Sequence, residues 1–193
     1  MTTRGSQRPA AGWPAVGKQA VEDAGQYAAE AAAPARLCVR AAAGLLRAAP
    51  WRRLLLMGDS VAAGNREAVP GYRDRAWLDR VADALAARPG GLTVRNLGTP
   101  GALAHEIRRD QLAAALEFRP DLAAVAAGGN DMMRRSFDPD TVEEHLDAMV
   151  GALRATGATV LTVGLFDITR SGLVPEPYAS GMHARLRALT ERT

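Results

Sequence analysis

From Trp51 onward the chain alternates between short apolar runs and longer stretches in which apolar residues recur every three or four positions. The short runs are typical of buried strands, and the longer stretches are typical of helices that bury one face. We predict strands over 53–57, 92–96, 122–126 and 158–164. We predict helices over 76–87, 103–118, 138–156 and 180–192. Strands that alternate with helices in this way predict an α/β fold, a parallel sheet with helices on both faces.

Residues 1–50 follow a different pattern, because they are rich in Ala and contain few large apolar side chains. Residues 1–14 resemble a flexible tail, and the segments 16–32 and 35–48 are helix-prone. A helix face made mostly of Ala buries little area, so docking of these helices is not assured. The sequence therefore predicts an N-terminal extension over 1–50, partly flexible or helical, and one α/β domain over 51–193.

Composition narrows the possible functions. A chain of 193 residues with 48% hydrophobic residues is enough for one ordinary domain with a core. The net charge of +3 is small and the arginines are dispersed, which argues against nucleic acid as a partner. Cys38, the single cysteine, excludes an internal disulfide and is expected to be a buried or half-buried thiol. No signal-peptide layout or membrane-spanning run is present in the sequence, so we expect a cytoplasmic protein.

Three unusual loops follow the first three predicted strands. We call residues 58–64 loop one, residues 96–102 loop two and residues 128–131 loop three. In parallel sheets ligands bind beyond the carboxyl ends of the strands. A flavodoxin-like strand order places strands two and three on either side of strand one, so the three loops are expected to lie side by side at the carboxyl edge of the sheet.

Each loop carries a group suited to acyl transfer. Ser60 in loop one lies at a strand-to-helix turn, close to a helix N-terminus that favours a developing anion. A glycine such as Gly98 or Gly101 in loop two offers a bare N–H, and the Asn130 amide in loop three donates without carrying charge. Taken singly, each motif is an ordinary turn sequence. Their common position at one sheet edge predicts a serine nucleophile beside donors for an oxyanion.

The chain from Trp51 to Thr193 resembles the SGNH (GDSL) hydrolases. Residues 56–60, Leu-Met-Gly-Asp-Ser, are similar to block I of that family. Residues 96–101 are similar to block II, and residues 128–131, Gly-Gly-Asn-Asp, to block III. The stretches 69–74 and 164–167 resemble a bacterial subgroup of the family.

The resemblance implies a three-layer, flavodoxin-like fold and hydrolysis of carboxylic esters or related acyl groups without metal or cofactor. By position, Ser60 corresponds to the nucleophile. The oxyanion donors correspond to the Ser60 N–H, the Gly101 N–H and the Asn130 side-chain amide. Asp59 corresponds to a residue that shapes the loop rather than a base. The implied partner is a small-molecule ester.

The sequence departs from the family at its fourth block, an Asp-x-x-His that supplies the base. None of the three histidines has an Asp three residues earlier. His105 enters a helix directly after loop two, His145 is expected on a solvated helix face, and His183 is expected to be exposed in the last helix. The family's fifth strand and final helix are also expected to be missing, so we expect a C-terminally truncated chain whose general base is unknown and whose activity is low.

Two alternative functions and two further expectations remain. A non-catalytic small-molecule binding or interaction module could use the same cleft. A nucleotide-binding domain is disfavoured because loop one lacks Gly-x-Gly-x-x-Gly and a P-loop lysine. Residues 65–74 and 132–138 are expected to border the pocket. The uncharged fourth strand, 158–164, is expected to present an unpaired edge that promotes self-association.

Overall fold

The computed structural model describes residues 44–65, 75–165, 167–171, 174–176 and 178–192. Its strands are β1 (Arg53–Gly58), β2 (Thr93–Asn96), β3 (Leu122–Ala126) and β4 (Thr159–Thr162). Its helices are α1 (Ser60–Ala63), α2 (Trp77–Ala86), α3 (Ala104–Phe118), α4 (Gly129–Met132), α5 (Pro139–Ala155) and α6 (Tyr178–Thr190), with a 3₁₀ helix at Ile168–Ser171. All strand pairs are parallel, and the order in the sheet is β2-β1-β3-β4. The predicted α/β fold and strand order are confirmed.

The helices cover both faces of the sheet. On one face, Leu55, Met57 and Val125 form a buried cluster with residues of α3, α5 and α6. On the other face, Leu54 and Leu56 pack against buried residues of α2. Each large side chain buried in this way contributes about 1.5–3 kcal/mol. Because side chains alternate between the two faces along β1, its successive leucines lie in two different cores.

The amino end of the sheet is tied together by Asp121, which immediately precedes β3. Its carboxylate accepts hydrogen bonds from the backbone N–H groups of Arg52 (2.7 Å) and Arg53 (2.8 Å). Its backbone carbonyl accepts from the Thr159 N–H (2.9 Å). These bonds join β1, β3 and β4 at one level, in a register that pairs Leu54 with Leu122 and Leu122 with Thr159.

The segment that leads into β1 packs against the domain. Leu46, Ala49 and Trp51 lie partly buried against the core formed with α2. The buried Arg88 side chain donates to the carbonyls of Ala49 and Trp51. The end of the predicted extension thus contacts the domain. The predicted helix over 16–32, most of that over 35–48, Cys38 and the stretch 69–74 lie outside the described residues.

The described residues differ from the predicted elements mainly at their ends. β3 has the predicted bounds, whereas β4 is four residues long instead of seven and α6 begins two residues earlier than predicted. A helix N-terminus was expected beside Ser60, but the bounds of α1, the short helix α4 and the 3₁₀ turn were not predicted. In the described part of the chain the sheet has four strands. No helix in that part is long and apolar enough to cross a membrane.

We expect the chain to self-associate through β4. Within the described residues β4 pairs only with β3, and Leu161 on its surface is 49% exposed. An uncharged edge strand pairs readily with another chain, and a charge on it opposes this. Light scattering coupled to size-exclusion chromatography should give a mass above that of the monomer, and Leu161→Glu should shift it towards the monomer.

Val94→Glu is the matched control, because Val94 is an exposed apolar residue on β2, the opposite edge strand. It should leave the oligomer intact. A monomeric parent chain, or equal dissociation by both variants, would contradict association through β4.

Candidate active site

Loop one begins where β1 ends, at a tightly packed turn. Ser60 is the first residue of α1 and is half-buried. Asp59, only 3% exposed, is the N-cap of α1, because its Oδ1 accepts a hydrogen bond from the Val61 N–H (2.9 Å). The Asp59 backbone N–H donates to the Ala126 carbonyl at the end of β3 (3.0 Å). The serine is therefore presented at a helix N-terminus on a fixed turn.

Loop two packs directly against loop one. The Asn96 side chain donates to the Ala62 carbonyl (3.0 Å) and accepts from the Gly98 N–H (2.8 Å). A Cβ at Gly98 would lie 2.2 Å from the Ala63 nitrogen, so only glycine permits this approach. Gly101 is exposed and has a φ of 79°.

Loop three reaches both other loops through Asn130. The Asn130 Nδ2 donates to the Ala102 carbonyl at the end of loop two (3.0 Å). The same nitrogen lies 3.5 Å from Asp59 Oδ2 in loop one, a long and weak contact. The loops that hold Ser60, Gly101 and Asn130 are thus adjacent at the carboxyl edge of the sheet, as the strand order requires.

Two residues whose role was not predicted from the sequence fix the loops in place through hydrogen bonds. Gln111 on α3 bonds to Gly58 and Thr99. Asp131 in loop three accepts a hydrogen bond from the Ala104 N–H at the start of α3, with its Oδ2 at 3.0 Å. A signal for Gln111 is present in the sequence, since it is a polar residue on the apolar face of a helix.

Comparison with known proteins identifies the family to which the chain belongs. The model of the GDSL-like lipase/acylhydrolase family matches residues 56–193, which is most of the chain and includes all three loops. The chain belongs to this family. A search of curated protein sequences gave no significant match.

Several solved structures have a similar fold. TesA is 26% identical over 72% of this chain and 69% of its own, with a TM-score of 0.54. The acetylxylan esterase Axe2 of Geobacillus stearothermophilus is 20% identical over 72% of this chain and 70% of its own, with a TM-score of 0.55. A putative lipolytic G-D-S-L protein of Desulfitobacterium hafniense is 16% identical over 72% and 70%, with a TM-score of 0.52. The last two support the fold alone.

His105 and His145 lie together on the flank of loop three. Their ring centroids are 6.2 Å apart, and Arg108 Nη1 is 3.3 Å from His145 Nδ1. His145 was expected on a solvated face, but it is half-buried because α5 turns this residue towards α3. Burial raises the pKa of Asp131, and both histidines lie close enough to oppose this rise. A carboxylate beside His105 was not apparent from the sequence.

His183 is exposed, as expected, and it is paired with a carboxylate. Its Nδ1 lies 3.1 Å from Asp167 Oδ2, and their side chains are 51% and 21% exposed. Successive residues of a helix are turned by about 100°. This places His183 and Arg185 on opposite flanks of the buried Met182. Arg185 donates to the carbonyls of Met132 and Arg134 beside loop three. His183 therefore lies on the flank of α6 opposite Arg185, where its described partner is Asp167.

The site holds two carboxyls with raised pKa values, the buried Asp59 and the half-buried Asp131. Burial raises the pKa of Asp59 above its ordinary value, and the charge of Asp131 raises it further, while the Val61 N–H opposes the shift. Burial also raises the pKa of Asp131, and the Ala104 N–H partly offsets this. The Asn130 amide lies beside the more deeply buried of the two acids, with its Nδ2 3.5 Å from Asp59 Oδ2.

We expect Asp59→Asn to stabilise the protein near neutral pH. A raised folded-state pKa means that ionised Asp59 destabilises the fold, in full above that raised value. The penalty disappears as pH falls to the unfolded-state pKa of about 4. Asn retains the N-cap. Thermal melts should show a gain of about 2–4 °C above pH 7 and no gain near pH 3.5.

Asp138→Asn provides a control of opposite sign. Asp138 caps α5, and its pKa is lowered, chiefly by the hydrogen bond from Thr141 and then by the Asp140 N–H. Its ionised form stabilises the fold, so this variant should lose stability at neutral pH and lose none in acid. A loss of stability at neutral pH in the Asp59 variant would refute the interpretation.

Proposed function

We propose that this protein is an esterase or acylhydrolase that uses Ser60 as its nucleophile. The observation that carries the proposal is the position of Asn130, whose amide contacts loop one and loop two at once. Membership of the GDSL-like family supports the reaction class. The substrate is a small ester or related acyl compound. A cytoplasmic location remains a prediction from the sequence.

In the proposed reaction Ser60 Oγ attacks the carbonyl carbon while its proton passes to a base. The carbonyl oxygen becomes an oxyanion held by the N–H groups of Ser60 and Gly101 and by the Asn130 amide. The bond to the leaving alcohol breaks as the alcohol takes up a proton. Water then attacks the acyl-serine, which releases the carboxylic acid and restores Ser60.

The Asn130 amide has one N–H that suits this role. One N–H is used in the 3.0 Å bond to the Ala102 carbonyl, which orients the side chain. Among the described residues, the other contacts only Asp59, at 3.5 Å, so an oxyanion can compete for it. Asp59 then acts by capping α1 and shaping the turn, and it is not assigned as the base.

The general base is not assigned to a histidine. The described contact of His183 is with Asp167, and those of His105 and His145 are with Asp131, Arg108 and each other. An oxyanion hole alone still accelerates acyl transfer by roughly 10³–10⁴ over water. We therefore propose a slow reaction that added imidazole accelerates.

A fluorophosphonate probe tests the proposal directly, because it phosphonylates an activated serine. The probe is applied to the full chain with and without imidazole, and the modified peptide is identified by mass spectrometry. We expect labelling at Ser60 that imidazole accelerates and that Ser60→Ala removes. Labelling elsewhere, or none in either condition, would leave the esterase proposal without support.

A further inference from the structure

Gln111 is a polar side chain on the apolar face of α3. The other buried residues of that face include Ile107, Ala115 and Phe118, and Gln111 itself is only 4% exposed. A buried amide is destabilising unless its donor and acceptor groups are hydrogen-bonded. The burial of Gln111 is therefore explained by the groups to which its side chain is hydrogen-bonded.

Gln111 binds the turn before Ser60. Its Oε1 accepts from the Gly58 N–H (2.8 Å), and its Nε2 donates to the Gly58 carbonyl (2.9 Å). The two ends of one side-chain amide are thus matched to both backbone groups of a single residue. An amide is suited to this because it carries a donor and an acceptor in one plane.

The same side chain also reaches loop two. Its Nε2 lies 3.3 Å from Thr99 Oγ1. The Thr99 N–H in turn donates to the Gly58 carbonyl (2.9 Å). Gly58, Thr99 and Gln111 therefore form a closed set of hydrogen bonds that joins loop one to loop two.

This set lies next to the proposed oxyanion donors. Gly58 is two residues before Ser60, and Thr99 is two residues before Gly101. The N–H groups of Ser60 and Gly101 must point at one oxygen, so their separation depends on how the two loops are held together. Catalysis is sensitive to errors of about 1 Å in such positions.

We propose that Gln111 is a positioning residue that sets the distance between the two backbone donors of the oxyanion hole. The proposal rests on the proposed function and adds a residue to it. Gln111 acts through Gly58 and Thr99 and does not touch the substrate. Its removal affects the transition state more than the bound substrate, because the oxyanion forms only in the transition state.

The first test is Gln111→Met, which keeps the length of the side chain and removes all three hydrogen bonds. For hydrolysis of p-nitrophenyl acetate in the presence of imidazole, we expect kcat to fall by about 10–100-fold and KM to change less than about two-fold. Met149→Ala is the matched control, since Met149 is fully buried in the same core but lies on α5, away from the loops. It should lower the melting temperature and leave kcat nearly unchanged.

Gln111→Glu adds a pH signature that packing alone does not produce. Ionised, the carboxylate lacks the donors for the Gly58 carbonyl and Thr99. Protonated, it again offers one acceptor and one donor. Burial raises the pKa of an introduced carboxyl, so the ratio of variant to parent kcat should rise towards one as pH falls from about 8 to about 5. A ratio that does not change with pH overturns the proposal.

Amide hydrogen exchange separates this proposal from the esterase proposal. In Gln111→Met, the amides of Asp59, Thr99 and Ala102 should exchange about 10-fold faster, and those of α5 should not change. If these amides respond but the parent chain neither labels at Ser60 nor hydrolyses ester, the proposed function fails and the loop-positioning role stands. If the amides do not respond, or if an active parent chain keeps its kcat in Gln111→Met, the Gln111 proposal is wrong.

Discussion

Replacing Asn130 by alanine is expected to lower the imidazole-assisted rate of ester hydrolysis by about 10²–10³-fold, and replacing Ser60 by alanine to remove the imidazole-assisted rate. The Asn130 side chain is the one proposed oxyanion donor that is not a backbone group, so substitution can remove it. Its position is fixed by the Ala102 carbonyl. The loss should fall on kcat, because the oxyanion exists only in the transition state.

Initial rates with p-nitrophenyl acetate, corrected for the buffer and imidazole reaction, provide the measurement. Asn96→Ala is the matched control, since Asn96 is also an asparagine at the carboxyl edge with side-chain bonds of 3.0 and 2.8 Å to the backbone. It removes no proposed donor and can act only through the spacing of the loops, so it should lower the rate less than Asn130→Ala does. Equal losses in both variants would mean that Asn130 only supports the loop structure.

Gly58→Ala is expected to prevent stable folding. A Cβ at this position would lie 2.0 Å from the Ala126 carbonyl oxygen, and the φ of 145° is strained for any residue with a side chain. The contact is with the backbone of β3, so neither partner can move without disturbing the sheet. We expect a loss above about 4 kcal/mol, a fall in melting temperature of roughly 10 °C or more.

Gly157→Ala is the control for the part of the stability loss that comes from a positive φ alone. Gly157 also has a positive φ, 88°, but a Cβ there would meet no atom within 4 Å. It should cost only about 1–2 kcal/mol. Circular dichroism melts of the two variants give the comparison, and similar melting temperatures would show that the β3 contact at Gly58 can relax.

The sheet and its three loops could be predicted because local patterns determine them. The apolar run of β3 is bounded by Pro120 and by Gly128, and the structure places this strand where the pattern does. Strand order followed from the general behaviour of α/β proteins, and it brought Asp59, Ala102 and Asn130 into contact.

The contacts that hold the site could not be predicted because they join distant parts of the chain. Gln111 lies 53 residues from Gly58, and Asp131 lies 27 residues from Ala104. No periodic pattern relates such positions. The pairing of His183 with Asp167 has the same character, since the carboxylate lies 16 residues before the histidine rather than three.

The short elements were missed for a different reason. Helix α1 has four residues, fewer than a repeating apolar pattern requires to be visible. It depends on the Asp59 cap and on packing against loop two. Packing of Leu46 and Ala49 was also missed, because their surroundings in the sequence are Ala-rich and carry no strong amphipathic signal.

The hydrogen bonds of Asp121 at the amino end of the sheet have a consequence for how the gene can change. They hold the first residues of β1 and β3 at the same level of the sheet. Each strand then needs a fixed number of residues to end at Gly58 or at Ala126, which pair with each other. One codon inserted in or deleted from either strand would shift its loop by about 3.3 Å and exchange its inward and outward faces. Variation in length among relatives should therefore fall outside these two strands, in helices and connecting segments, while Asp121 and the spacing from it to Asn130 stay constant.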